Sequence, residues 1–158
     1  MCDTASSIVM PPTLSEILRD RTWDLHKQAE HSGIVNDILH RKVDRRGYAV
    51  FLRNLLPAYR AMEAALQSNQ HRLVFRAFAR TELYRAARIE TDLSALAGPN
   101  WVNDITELPA ALLYADRIAS AREGDGGGLV AHAYVRYFGD LSGGQVLKRL
   151  LGQSLGLG

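Results

Sequence analysis

Cysteine is nearly absent: the 158 residues hold one, Cys2. A disulfide within the chain is therefore excluded, which suits a reducing compartment. The opening stretch, MCDTASSIVMPP, has neither the basic start nor the long apolar run of a secretory leader. No apolar run approaches the ~20 residues that a membrane-spanning helix needs. The expectation is a cytoplasmic protein without a membrane anchor. Charge of one sign is not in excess either. Nineteen basic residues against seventeen acidic ones leave a formal net charge of +2, which gives no ground for a nucleic-acid partner bound by counterion release. Low-complexity tracts, internal repeats and period-two alternation are all missing, so strands and solenoids are not expected.

What is there is helical periodicity. Pro11-Pro12 lead into Thr13-Leu14-Ser15-Glu16, a capping box that opens a helix running until Ser32-Gly33. A short apolar segment follows from Ile34 to Leu39, then Asp44 stands as an N-cap. From Gly47 to Leu66 the residues Tyr48, Phe51, Leu52, Leu55, Tyr59, Met62 and Leu66 form an amphipathic stripe, with Pro57 inside it as an expected bend. Further helices are expected over 72–79, over 81–97 up to Gly98-Pro99, and from Leu108-Pro109 to Arg122. Gly124 to Gly128 reads as a turn, and a last helix runs from near Leu129 towards Leu155. The chain is thus expected to be all-α and a single domain over 1–158, with 1–12 as a loose N-terminus.

Two places depart from what a plain helical bundle needs. Gly139, Gly143 and Gly144 stand at i, i+4 and i+5 inside the last helix, each costing ~1 kcal/mol relative to alanine. A shared face without side chains lets something approach the backbone closely. Tight helix packing, or a plain break between two helices, accounts for the glycines equally well. In the first helix, Arg19, Trp23, His26 and Glu30 share a narrow stripe. A carboxylate one turn from an imidazole is the arrangement that orients a metal-ligating histidine, although a solvated surface His–Glu pair is the plainer account. Together, an axial imidazole and a bare glycine face suit a flat, iron-bearing ligand.

Other chemistries fit less well. A di-iron bundle needs two Glu-x-x-His motifs, and only Asp37-x-x-His40 comes near one. Asp140-Leu141-Ser142-Gly143-Gly144 lacks the glycine two before the serine that a nucleophile elbow requires. The glycines from 124 to 128 are not followed by Gly-Lys-Ser/Thr, so they are no P-loop. His31, His40 and His71 read as surface or helix-end residues.

The run from Val130 to Gln145, VAHAYVRYFGDLSGGQ, closely resembles the distal-helix signature of haem oxygenases. Leu25-His26-Lys27-Gln28-Ala29-Glu30 is similar to the proximal-histidine segment of that family, and the contexts of Tyr59 and Tyr114 match as well. The resemblance covers nearly the whole chain from about Leu14. It implies an all-α fold with haem between a proximal helix and a kinked, glycine-rich distal helix. It implies His26 as the proximal iron ligand, with Glu30 bonded to its other ring nitrogen. Gly139, Ser142, Gly143 and Gly144 would border the haem on the distal side, and Arg19 and Tyr134 would meet its propionates. Asp140 would anchor a water network supported by Tyr59, Arg136 and Tyr114. The implied reaction takes haem as substrate and cofactor, uses O2 and electrons from an external reductase or ferredoxin-like donor, and yields biliverdin, ferrous iron and carbon monoxide.

The family also implies a continuation, since its members usually run on through at least one more helix that closes the pocket. The sequence here stops at Gly158, soon after the distal helix, as a fragment, a truncated product or a shortened relative would. Two rivals follow: a haem-binding carrier without turnover, and a helical interaction module that holds no cofactor.

Overall fold

The computed structural model describes residues 11–156, so the expectation of a loose N-terminus over 1–12, and Cys2 with it, falls almost wholly outside the described residues. Seven α-helices and two short 3-10 turns make up the described part, with no strand among them.

Helix α1 (Leu14–Glu30) begins as its sequence demands: Thr13 accepts from the Glu16 amide, and the Glu16 carboxylate accepts from the Thr13 amide at 2.7 Å. After His31 the chain enters α2 (Gly33–Leu39). The Asp44 side chain then caps the Gly47 amide at 2.7 Å and starts α3 (Arg45–Ser68), which continues through Pro57.

Between residues 72 and 85 the chain departs from the expected helices. It forms 3-10 turns at Leu73–Phe75 and Thr81–Leu83, and α4 (Ala86–Ala97) starts five residues later than its periodicity implied. A helix of eight residues or fewer cannot recover its nucleation cost without tertiary packing. Here the packing favours a turn instead: Phe75 is fully buried, and its carbonyl accepts from both Phe78 and Ala79. Gly98, at φ +84°, ends α4. A single helical turn, α5 (Trp101–Asp104), is too short for periodicity to reveal. Then come α6 (Pro109–Ser120) and α7 (Gly127–Leu155), a helix that runs unbroken through all three of its mid-helix glycines.

Helix α3 is the axis of the fold and packs against α4, α6 and α7. Its stripe, Leu52, Leu56, Tyr59, Met62 and Leu66, meets Phe75, Ile89, Leu93, Ile118, Leu129 and Tyr137 in one core. Each such side chain contributes about 1.5–3 kcal/mol by leaving water. Arg53 is buried within α3 because its guanidinium is paired: Nε donates to the Ile105 carbonyl at 3.2 Å, Nη1 pairs with Glu107, and the group lies over the Trp101 ring. A second, smaller cluster of Ile38, Val43 and Leu151 clamps α2 onto the C-terminal turns of α7. Helix α2 thus touches α1 on one side and α7 on the other.

One glycine before α7 is irreplaceable on geometric grounds. Gly126 sits at φ +87°, and a Cβ there would overlap the buried Phe75 ring. Left-handed strain and overpacking together predict that Gly126→Ala lowers stability by roughly 2–5 kcal/mol, read from urea unfolding.

Candidate functional site

Helix α1 is unusual in burying no residue at all, although Leu14, Ile17, Leu18, Trp23 and Leu25 are large and apolar. Its helical spacing nevertheless builds a small assembly on one face. The His26 ring stacks near Trp23 with centroids 6.1 Å apart, and His26 Nε2 lies 3.2 Å from Glu30 Oε1. Lys27 Nζ stands 5.2 Å from the centroid of the Trp23 ring. The His26 side chain is 60% exposed, and its second ring nitrogen has no protein partner among the described residues. Of the expected stripe, Arg19 stands apart, exposed and paired with Asp20 at 3.7 Å. The other histidines near α1 and α2 each commit one ring nitrogen to a helix end. His31 and His40 turn Nδ1 onto the Lys27 and Asn36 carbonyls, at 2.7 and 2.8 Å, and cap their helix ends.

On α7 the glycines expose bare backbone. A Cβ built on Gly139, Gly143 or Gly144 meets nothing within 4 Å. Close helix packing is therefore not what these glycines serve among the described residues. Around them stand exposed apolar side chains: Tyr134, stacked on Phe138 at 4.8 Å, and Leu141 and Val146. Ser142 is turned inward on its own helix, donating to the Phe138 carbonyl.

Asp140 lies on the same stretch of α7 and reaches the core. Its Oδ2 accepts from the Tyr59 hydroxyl at 2.7 Å. Tyr59 is only 1% exposed, and burial, reinforced by the Asp140 carboxylate, pushes its phenol well above the usual range. It is therefore a donor that stays protonated. Arg136 joins through its guanidinium, 5.7 Å from the Tyr59 ring, rather than by a bond to the carboxylate. Tyr114 is placed elsewhere. Its hydroxyl meets His132 Nδ1 at 3.4 Å on the α6–α7 seam, and nothing links it to Asp140.

Sequence reasoning missed two members of this cluster. Arg85, at the head of α4, brings Nε to 3.8 Å from Asp140 Oδ2. Glu63, one turn after Tyr59 on α3, accepts from the Arg85 amide at 2.6 Å and the Ala86 amide at 3.2 Å, and so caps a helix other than its own. A carboxylate within the apolar stripe of α3 was the available signal for Glu63; Arg85 carried none. Burial raises the Glu63 carboxyl above its ordinary value, against the pull of the two amides. A carboxyl whose folded value exceeds its unfolded one binds its proton more tightly when folded, so its contribution to stability falls as pH rises from about 4.5 through that higher value. Glu63→Gln is expected to flatten this part of the stability-against-pH curve, read as a wild-type-minus-variant melting difference.

Among the described residues no three His, Cys, Asp or Glu side chains gather as a metal-binding set, and no helix is long and apolar enough to cross a membrane. Among the described residues, the fold and site define an all-α protein with an exposed imidazole paired to a carboxylate on α1, a bare glycine face on α7 and a partly buried tyrosine–carboxylate pair beside that face.

Comparison with known proteins gives the family. The family model described as Heme oxygenase matches residues 12–158. Heme oxygenase 1 of Homo sapiens is 38% identical over 149 residues, covering 94% of this chain and 52% of that protein. Heme oxygenase 2 of Synechocystis is 36% identical over 144 residues, covering 91% and 58%. Among solved structures, heme oxygenase-1 of Synechocystis in complex with heme superposes with a TM-score of 0.81 at 33% identity, covering 90% of this chain and 65% of that one. The heme oxygenase of Leptospira interrogans gives 0.81 at 35%, covering 90% and 70%. The chain belongs to the haem oxygenase family. It spans about half the length of the curated relatives it matches.

Proposed function

We propose that this chain is the haem-holding core of a haem oxygenase, which opens haem to biliverdin, ferrous iron and carbon monoxide in the cytoplasm. The observation that carries this reading is the open glycine face of α7 beside the Tyr59–Asp140 pair. Three glycines present at a cost in helix propensity, with no neighbour among the described residues to require them, suit a flat ligand lying on the backbone. The residues present fit haem: one imidazole with an uncommitted nitrogen, a carboxylate to orient it, and an apolar surround.

Bound haem would supply a redox-active iron and, in its own ring, the carbon that is oxidised. His26 would bind the iron while Glu30 holds the rest of its ring in register. Gly139, Gly143 and Gly144 would set how closely the ring edge approaches α7, with Ser142 kept out of the way by its bond within the helix. Arg19 and Tyr134 would meet the propionates, Arg19 by a change of rotamer from its solvent position. Asp140, with Oδ2 occupied by the Tyr59 hydroxyl, would hold a water on Oδ1 and so keep a proton near that face without placing an acid in direct contact. Arg136 would support the Tyr59 ring, and Tyr114 would act one step removed, by fixing the α6–α7 seam. O2 and electrons from a reductase or a ferredoxin-like donor complete the requirements.

The test is an optical titration of the purified chain with hemin, followed by ascorbate under air. A saturable Soret shift that gives way to the broad red absorption of biliverdin is expected. A Soret band that survives the reductant would make the chain a haem binder without turnover, and no shift at all would overturn the haem reading.

A further inference from the structure

Three polar atoms around Asp140 are buried without a hydrogen-bond partner: Arg85 Nε, Arg136 Nε and the Tyr137 hydroxyl. Of the two arginines, Arg136 has its guanidinium over the Tyr59 ring, and only Arg85 forms an ion pair with Asp140 among the described residues. Arg85 and Tyr59 address the same oxygen, Oδ2, while Oδ1 takes no protein hydrogen bond. Both of these neighbours are set by α3. Tyr59 is part of that helix; Arg85 is held to it by the Glu63 carboxylate on its amide.

We propose, on the reading of the site given above, that Arg85 is a positioning residue: anchored through Glu63, it fixes Asp140 Oδ2 beside the Tyr59 hydroxyl and leaves Oδ1 as the working oxygen. The physical reason is geometric. A carboxylate on a helix surface can rotate about its Cβ–Cγ bond and exchange its two oxygens. A hydroxyl on one oxygen leaves that rotation to a single bond, whereas a second donor of opposite charge on the same oxygen, from a different element, stops it. The separation of 3.8 Å is that of an ion pair, and a small side-chain adjustment closes it to a hydrogen bond. Of the other ionisable groups, Tyr48 and Tyr59 on α3 and Tyr137 on α7 feel the Asp140 charge, while Glu63, Tyr84 and Arg136 act on those tyrosines. None of them supplies a second cation on Oδ2.

The experiment has two arms, on the haem-free and the haem-loaded chain. In the haem-free chain, the Nε–Hε signal of Arg85 in a nitrogen-15 spectrum is expected to be resolved and slow to exchange, and to fall into rapid exchange in Asp140→Ala. A signal unaffected by Asp140→Ala would overturn the proposal. In the loaded chain, Arg85→Gln is expected to slow biliverdin formation about tenfold with hemin affinity unchanged, and Arg85→Lys to restore part of the rate. Equal rates in Arg85→Gln and wild type would also overturn it. If Arg85→Gln does not fold, the Asp140→Ala spectrum and Arg85→Lys still decide. Should hemin fail to bind every variant while the Arg85 signal still depends on Asp140, the haem reading falls and the Arg85–Asp140 contact stands.

Discussion

His26→Ala is expected to lower hemin affinity by about tenfold or more, and to remove the spectrum of a histidine-ligated iron, without destabilising the fold. Affinity and stability separate here because of where the ring sits. His26 touches Trp23 and Glu30 on its own helix and is otherwise in solvent. Alanine is also the better helix former by up to about 0.7 kcal/mol, so the melting temperature is expected to hold or rise slightly. Free imidazole added to the variant is expected to restore the band. His31→Ala and His40→Ala serve as controls, since both rings are bound to backbone carbonyls at helix ends. They should leave the hemin spectrum intact while lowering stability a little through the lost caps. Hemin binding that is indifferent to His26 and lost with His31 or His40 would place the ligand elsewhere.

The glycine face predicts a second large separation. Gly143→Ala is expected to stabilise the haem-free chain by up to about 1 kcal/mol, because the helix gains propensity and the new methyl meets nothing. For a chain of this size that corresponds to roughly 2–4 °C. Gly143→Leu should likewise fold, yet it stands in the space where the ring would lie, and hemin binding is expected to fall beyond detection. A variant that is at least as stable as the parent but binds nothing can be explained only by a ligand surface. If Gly143→Leu bound hemin as the parent does, the face would have some other use.

Much of this was legible in the sequence, for reasons that differ from one element to the next. The capping box at Thr13–Glu16 and the Asp44 cap are local chemistry, and both formed where their side chains required. The stripe of α3 was readable because it is long and half-buried, so its period survives noise. The stretch from 72 to 85 misled because its apolar residues have helical spacing, whereas its conformation follows from Phe75 entering a core built by helices far away in the chain. His26 and Glu30 could be paired from a four-residue spacing alone. Tyr59 and Asp140 stand 81 positions apart; the family resemblance brought them only into one water network, and their direct bond was not foreseen. Arg85 and Glu63 escaped both routes. Their link is a backbone amide held by a side chain, and backbone contacts leave no mark in residue identity.

That α1 buries nothing has a consequence for mutational tolerance. In most helical proteins a functional helix is also a structural one, and a scan of substitutions confounds the two demands. They coincide on α3 and α7, where Tyr59 and the neighbours of Asp140 also build the core, but among the described residues α1 carries little of the structural demand. Substitutions along α3 would be filtered by whether the chain folds, whereas those along α1 are nearly free of that filter. A map of tolerated residues in α1, scored for folding and for ligand capture in parallel, would therefore trace the side of the ligand that α1 meets.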